Sequence, residues 1–357
     1  MPNPTISIVT TVYDAKDYIP RTVRSILAQS FTDFELLLVE DGSPNGCGEL
    51  CDELAKTDPR IRVFHKENGG LSDARNVGID WVEANSDSRW LIFADSDDWV
   101  HPELLARLLD AATAFDLKIS VCGYQETEGA DPAVLPEDMR PHRCTPKQFY
   151  MGHCVNATVA WGKLYSRSCF RDIRYPVGKI HEDEFVTYRL LFAQKEIAVV
   201  PAPLYAYFIN PKGIIRSAWS PKRFHAWEAY DQQLAFFTAM GDEELVKFRI
   251  RGYLDNALAN LYTAEQADNA AELTAEEAHF LLQPFHAFQH MMNGVDAFDI
   301  DREIVIQVAI SFQFPELGGE KIPFAVDGAY FDQPSFFERN NKSRVGMALL
   351  AIFVENN

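Results

Sequence analysis

No run of apolar residues in this chain approaches the roughly 20 needed to cross a bilayer. The nearest, Val345–Val354, is too short. Positive charge is scarce: 33 Lys and Arg stand against 52 Asp and Glu, a formal net charge of -19. Nucleic acids are held by clustered Lys and Arg, so no nucleic-acid partner is expected. The same balance weakens any case for docking on an anionic membrane. A small anionic ligand remains compatible with this charge if it binds through a metal ion and helix N-termini. The six cysteines, Cys47, Cys51, Cys122, Cys144, Cys154 and Cys169, contain no C-x-x-C, and no histidine cluster completes a zinc pattern. Scattered thiols, with no basic-then-apolar leader ahead of Ile6, set the expectation of a reducing cytoplasm. No glycine stands in Thr10-Thr11-Val12-Tyr13, which argues against a Gly-rich phosphate loop after the first strand and hence against a nucleotidyltransferase. No internal repeat or low-complexity tract is visible.

What is present suffices for a full core. Of 357 residues, 47% are hydrophobic, an ordinary globular share that fits one large α/β domain plus an appendage. Ile6–Val12, Phe34–Val39, Ile61–His65 and Trp90–Ala94 read as strands, with Lys118–Gly123 as a fifth. Ile19–Gln29, Cys47–Lys56, Leu71–Glu83 and Pro102 to about Phe115 read as helices between them. Alternation at this spacing predicts an α/β fold: a mostly parallel, Rossmann-like sheet with helices on both faces. The loops after Val12, Val39, His65 and Ala94 would then converge on one edge, where open α/β sheets bind ligands. A surface excursion is expected over 126–146, a helix from Glu182 to Ala193, and strands at Ile197–Val200 and Leu204–Phe208. Past Pro221, Phe224–Met240, Glu243–Thr263 and Thr274–Met291 read as amphipathic helices of a C-terminal helical appendage. Ile304 to the end has no readable fold or role.

The chemistry concentrates at Arg89-Trp90-Leu91-Ile92-Phe93-Ala94-Asp95-Ser96-Asp97-Asp98-Trp99, where a strand-length apolar run meets three carboxylates in four positions. Crowded acids repel, and a divalent cation with hard oxygen ligands relieves them. The competing reading is an Asp-rich turn and helix cap. A second acidic cluster, His181-Glu182-Asp183-Glu184, opens the next predicted helix, either as a cap favoured by the helix dipole or as a general base. Asn68-Gly69-Gly70 lets backbone approach a ligand, and Arg75 follows it. Arg75 could pair with an acid of the metal loop or a phosphate oxygen, or serve as a structural ion pair. Trp161 could floor an acceptor site or belong to the core.

Five segments now stand in one order: Ser7-Ile8-Val9-Thr10-Thr11-Val12-Tyr13, Val39-Glu40-Asp41-Gly42-Ser43, Glu67-Asn68-Gly69-Gly70-Leu71-Ser72-Asp73-Ala74-Arg75-Asn76-Val77-Gly78, Asp95-Ser96-Asp97-Asp98 and His181-Glu182-Asp183-Glu184. Over roughly residues 5 to 215 the chain resembles a family 2 glycosyltransferase with a GT-A fold. That resemblance implies an inverting, metal-dependent transfer of sugar from a nucleoside-diphosphate sugar, a UDP-sugar favoured, to a hydroxyl of a glycan or lipid-linked acceptor. It implies a nucleotide-sugar half at about 1–125 and an acceptor half at about 126–219; the helical stripes beyond set off a separate region at 220–357, of unknown role, that could offer a homodimer interface. By resemblance, Thr10, Val12, Tyr13, Asp41, Asn68, Gly69, Arg75, Asp95 and Ser96 line the donor site. Tyr13 would stack on the base, Asp41 would accept from a uracil-type N–H, and Asp95 would contact the ribose. Asp97 would hold Mn²⁺ or Mg²⁺ on the diphosphate. Asp183 would be the base, with Glu182 orienting the acceptor or the base. Trp161-Gly162-Lys163-Leu164 resembles the family's Trp-Asn-Lys-Leu, with Gly162 replacing Asn; Trp161 and Lys163 become acceptor-site candidates. A lipid-linked acceptor would place the protein at the inner face of the membrane.

One departure is visible. Where the family usually offers a Tyr-Arg pair and later Ser-Ile, this chain reads Tyr207-Phe208-Ile209-Asn210-Pro211-Lys212-Gly213-Ile214-Ile215. The expected Arg is absent, and Gly213 stands where Ser is usual; Lys212 or Arg216 could substitute for the charge, but Lys cannot copy a bidentate Arg. This keeps open an alternative, a non-catalytic module that binds a nucleotide sugar or glycan on the same fold.

Overall fold

The computed structural model describes residues 4–129, 139–211, 213 and 220–266. Two strands set the frame. β1 (Ile6–Val12) and β2 (Phe34–Glu40) are buried at every position, as strands covered on both faces must be. They pair in parallel, Ile6 opposite Phe34 through Val12 opposite Glu40. β3 (Ile61–His65) adds in parallel to β2, and β4 (Trp90–Phe93) adds in parallel to the other side of β1. Three helices make the crossovers: α1 (Ile19–Leu27), α2 (Cys47–Ala55) and α3 (Leu71–Asn85). Successive side chains of β1 alternate in direction. Ile6, Ile8 and Val12 join a core with Val23 and Ile26 of α1 and with Cys47 and Cys51 of α2. Val9 turns the other way, onto α3. There Gly78 is required by space, because a Cβ would lie 2.5 Å from Val9 Cγ1.

The second half of the sheet mixes directions. After the two-residue β5 (Trp99–Val100) and α4 (Leu104–Ala114) come β6 (Ile119–Thr127) and β7 (His142–Cys144). The short helices α5 (Pro146–Gly152) and α6 (Cys154–Thr158) follow, then β8 (Lys163–Ser166), α7 (Thr187–Phe192) and β9 (Ile197–Phe208). The sheet has nine strands in the order β3-β2-β1-β4-β8-β6-β9-β5, with β7 paired to β9. β8 is antiparallel to both β4 and β6, whereas the long β6–β9 ladder is parallel.

Two expectations change, and β5 is new. β5 is too short for any period to reveal. The two strands expected at 197–200 and 204–208 are one, β9, which runs through Pro201 and Pro203. The prolines fit because the ladder with β6 shifts register around Cys122, Gly123 and Tyr124, where missing N–H donors cost nothing. The helix expected from Glu182 to Ala193 is a 3₁₀ turn, Glu182–Phe185, followed by α7.

Backbone contacts divide the chain into Met1–Ser217 and Ala218–Asn357. In the second unit, α8 (His225–Ala239) and α9 (Glu243–Gln266) form a helical pair joined through Gly241, whose φ of +71° an L side chain would resist. Trp227, Tyr230, Leu234 and Phe237 of α8 are buried, as are Leu245, Ile250 and Tyr253 of α9. Arg249 stacks over Tyr230 at 4.0 Å and donates to Gln233 Oε1 at 3.1 Å. The stripe expected at Thr274–Met291 and everything from Ile304 onward lie outside the described residues.

Candidate active site

The carboxyl ends of β1, β2, β3 and β4 release the loops that carry most of the singled-out residues. The acidic loop after β4 is fixed from two directions. From α1, Thr22 Oγ1 donates to Ser96 O at 2.9 Å and to Asp98 O at 2.6 Å. From β9, the Tyr205 hydroxyl accepts from Asp95 N at 3.1 Å and donates to Asp98 Oδ2 at 2.7 Å, while Phe208 N donates to Asp98 Oδ1 at 2.8 Å. Asp98 is 1% exposed. It therefore ties the loop to the end of β9; it neither caps the next helix nor faces a ligand. Burial and the charges of Asp95 and Asp97 hold its carboxyl well above the ordinary range.

Asp95, Ser96 and Asp97 are partly exposed. Burial and the charge of Asp95 push Asp97 up, while the Asn210 amide, donating to Asp97 Oδ2 at 2.8 Å, pulls the other way. Among the described residues, no three His, Cys, Asp or Glu side chains stand close enough to cage a metal ion. Two neighbouring, partly exposed carboxylates suit a cation that completes its shell with phosphate oxygens and water, the usual arrangement for Mg²⁺. The donor set at Asp95 and Asp97 fits that kind of ion.

Arg75 joins the two acidic clusters. Its guanidinium, 2% exposed, contacts Asp95 Oδ1 at 3.0 Å on one side and pairs with Glu182 Oε1 on the other. Charges buried this deeply are retained only when paired, and the two carboxylates keep the guanidinium's pKa raised. Both alternatives for Arg75 thus meet in one residue: it is a structural ion pair, and its partner is an acid of the loop after β4. Asn76 secures the neighbouring segment by reciprocal bonds, Nδ2 to Tyr175 O at 2.8 Å and Tyr175 N to Oδ1 at 2.9 Å. The Tyr175 ring lies under Arg75, 5.3 Å from its Cζ, and its buried hydroxyl has no partner among the described residues.

His181 enters the second cluster with φ at +57°, a conformation that costs a non-glycine residue energy and recurs at functional sites. Asp183 follows, half-buried, with Oδ1 accepting from Glu184 N at 3.0 Å. Burial and the charges of Glu182 and Glu184 push its carboxyl well above the ordinary range, with Arg75 opposing.

At the other side, Thr10 and Val12 are 0% exposed, so neither side chain reaches a ligand; Tyr13, at 52%, is the open surface of that segment. Asp41 accepts from Gly69 N at 2.9 Å and Gly70 N at 2.8 Å, and binds Lys66 Nζ at 2.5 Å. Asn68 Nδ2 donates to Asp41 O at 3.0 Å. Asp41 thus shapes the 66–70 loop, a role additional to the base reading expected of it. Trp161 and Lys163 lie away from any surface. Trp161 stacks on Tyr205 at 4.4 Å between ring centroids and on Tyr207 at 5.5 Å, which resolves its two readings in favour of the core. Lys163 is 0% exposed, donates to Val159 O at 2.7 Å and Trp161 O at 3.3 Å, and is pulled down to about 7 by burial. Tyr205 gave no signal in the sequence; Asp98 was visible there as one of the crowded acids and Asn210 as part of the altered loop with the turn sequence Asn-Pro-x-Gly, but neither partner could be read.

With this geometry in place, similarity to known proteins decides the family. The Glycosyl transferase family 2 profile matches residues 7–174. EpsH of Bacillus subtilis (strain 168), provisionally named a glycosyltransferase, is 30% identical over 246 residues, 66% of this chain and 70% of EpsH. The chain belongs to glycosyl transferase family 2. Glycosyltransferase GlyA of Streptococcus pneumoniae serotype 4 is 28% identical over 74% of this chain, which spans only 39% of GlyA. Solved structures share the fold. TarS 1–349 of S. aureus, in complex with UDP-GlcNAc, has a TM-score of 0.56 at 16% identity, covering 85% of this chain and 84% of that one. Mannosyltransferase PcManGT of Pyrobaculum calidifontis, in complex with GDP-Man and Mn²⁺, has a TM-score of 0.51 at 15% identity, covering 85% and 84%. The GT-A α/β architecture read from the sequence is therefore that of the protein, and the protein is a glycosyltransferase. No helix among the described residues is long and apolar enough to cross a membrane.

Proposed function

We propose that this glycosyltransferase moves a sugar with inversion from a UDP-sugar to a hydroxyl of a glycan or lipid-linked acceptor, with a divalent cation at Asp97. One observation carries the reading. Through Arg75, the acids after β4 and the acids at 182–184 share a single buried guanidinium, so the donor-side and acceptor-side groups belong to one place. Tyr13 offers the face for the base, with Asp41, Asn68 and Gly69 shaping that end and Asp95 and Ser96 nearer the ribose. When bound, Mn²⁺ or Mg²⁺ held by Asp97 would neutralise charge on the departing diphosphate as a Lewis acid. Asp183 takes the acceptor's proton. The freed oxygen attacks the anomeric carbon opposite the leaving group, the new C–O bond forms, and the electron pair of the old one leaves on the diphosphate. The raised pKa of Asp183 suits this role, because a base is most effective when its pKa lies near the working pH. Glu182, bound to Arg75, orients Asp183.

These roles suit a glycan and a lipid-linked acceptor alike, and the lipid-linked one would place the protein at the cytoplasmic face of a membrane. The second reading, binding without turnover, is favoured by Phe208 standing where the family usually offers Arg. Assaying donor hydrolysis and transfer with a panel of UDP-sugars, with Mn²⁺ and with chelator, separates the two. Metal-dependent turnover supports the enzyme; UDP binding with no turnover on any donor or acceptor supports the module.

A further inference from the structure

The end of β9 meets the acidic loop in two successive contacts. Asp98 Oδ1 accepts from Phe208 N at 2.8 Å, and two residues after Phe208, Asn210 Nδ2 donates at 2.8 Å to Oδ2 of Asp97, the residue before Asp98. The backbone around Asn210 is built to present that side chain. Asn210 N donates to Phe208 O at 2.8 Å, Ile209 N donates to Thr127 O at 2.9 Å, and Gly213 N donates to Asn210 O at 3.1 Å. The sequence Asn-Pro-x-Gly has the residues a β-turn prefers, Asn first, Pro second and Gly fourth. The opposite end of the amide faces α1: the Tyr18 hydroxyl lies 3.5 Å from Asn210 Oδ1, and the Tyr18 ring packs on Phe208 at 5.3 Å. One amide is thus held between the N-terminal end of α1 and the loop after β4, with an N–H on the carboxylate. An amide cannot ionise, so this bond engages one oxygen of Asp97 without displacing its charge, and leaves the other oxygen's lone pairs oriented.

From this geometry we infer that Asn210 is the positioning residue for Asp97: it fixes the rotation of the carboxylate that receives the divalent cation. Hydrogen-bond partners of ligating carboxylates set metal affinity in this way, and their loss typically costs about 10–100-fold. Tyr18 supports the same amide from behind, and its loss acts through Asn210. The inference rests on the proposed cation at Asp97.

The test reads binding alone. The affinity of UDP is measured by calorimetry in Mn²⁺ and in EDTA, for the wild type and for Asn210→Ala, Asn210→Asp and Tyr18→Phe, each checked for an unchanged melting transition. The ratio of the two dissociation constants is the metal increment. Asn210→Ala should cut that increment about 10-fold or more while leaving the EDTA value unchanged. Tyr18→Phe should do so by less. Asn210→Asp, which keeps the shape but adds a repelling charge and removes the donor, should not rescue. An unchanged increment in Asn210→Ala overturns the inference, and so does an equal loss in Mn²⁺ and EDTA, which would mean the residue merely supports the loop. A wild type that binds UDP equally with and without Mn²⁺ removes both the cation and the inference. That outcome is told apart because it appears before any substitution is made. If Asn210→Ala melts early, Tyr18→Phe decides by the same ratio.

Discussion

Asp183 and Arg75 are single residues whose surroundings set their behaviour. Asp183 is held protonated to higher pH than a free Asp, about 3.9, by burial and by Glu182 and Glu184. A base must be ionised to work, so activity rises with pH through that group. The acidic limb of the kcat/KM profile should therefore lie above the ordinary carboxylate range, reported as a value of the coupled cluster. Asp183→Asn should lower kcat on the order of 10²–10⁴-fold and leave UDP affinity unchanged; turnover within a few-fold of wild type would strip it of the base role. The same shift bears on stability. An acid whose folded pKa is raised stabilises the fold while protonated, fully below the unfolded value, and loses that contribution as pH climbs through the folded value. Arg75 acts in the other direction. Arg75→Met leaves Glu182, 7% exposed, without its cation, and should destabilise the fold by about 3–5 kcal/mol in a denaturant titration. A cost below about 1 kcal/mol would show that the bridge holds nothing together.

At the scale of elements, α3 reaches its place only because position 78 has no side chain. A methyl there would press into Val9 of β1. Gly78→Ala should cost about 1–3 kcal/mol by overpacking. The clash is specific, so pairing it with Val9→Ala should give less than additive loss, with a coupling of at least about 0.5 kcal/mol in the four-variant cycle. Strict additivity would put the cost elsewhere. β9 shows the opposite economy. Its two prolines would break most internal strands, yet they fall where the ladder with β6 shifts register, and the strand continues to Phe208. That continuation brings Phe208 and Asn210 to the acidic loop.

For the whole molecule, the net charge of -19 opposes an anionic ligand at every range beyond contact. The divalent cation proposed at Asp97 would reverse this locally. Without metal, raising salt from a low level to about 0.15 M should tighten UDP binding or leave it unchanged, because screening removes repulsion. With Mn²⁺ the same change should weaken binding, because screening then removes attraction. Calorimetry at two salt levels, in EDTA and in Mn²⁺, reads both slopes, and slopes of the same sign would remove the cation from the explanation. A nucleotide that binds only the native state should also raise the melting transition, by about 2.7 kcal/mol of stabilisation at one hundred times its dissociation constant.

Sequence alone was enough for whatever repeats locally or bonds to near neighbours. Alternating strand and helix periods marked β1 to β4 and their crossovers, and the acids, glycines and Arg75 announced themselves because polar residues end apolar strands. Reading stopped where partners are distant. Whether Trp161 is floor or core, whether Asp98 faces a cation or a tyrosine, and that Asn210 holds Asp97 depend on β9 crossing more than a hundred residues of chain to lie beside the acidic loop. Hydrophobic pattern says which side of an element is buried, but not against what. Only the assembled sheet, by choosing which strand ends stand together, turned separate acids into one site around Arg75.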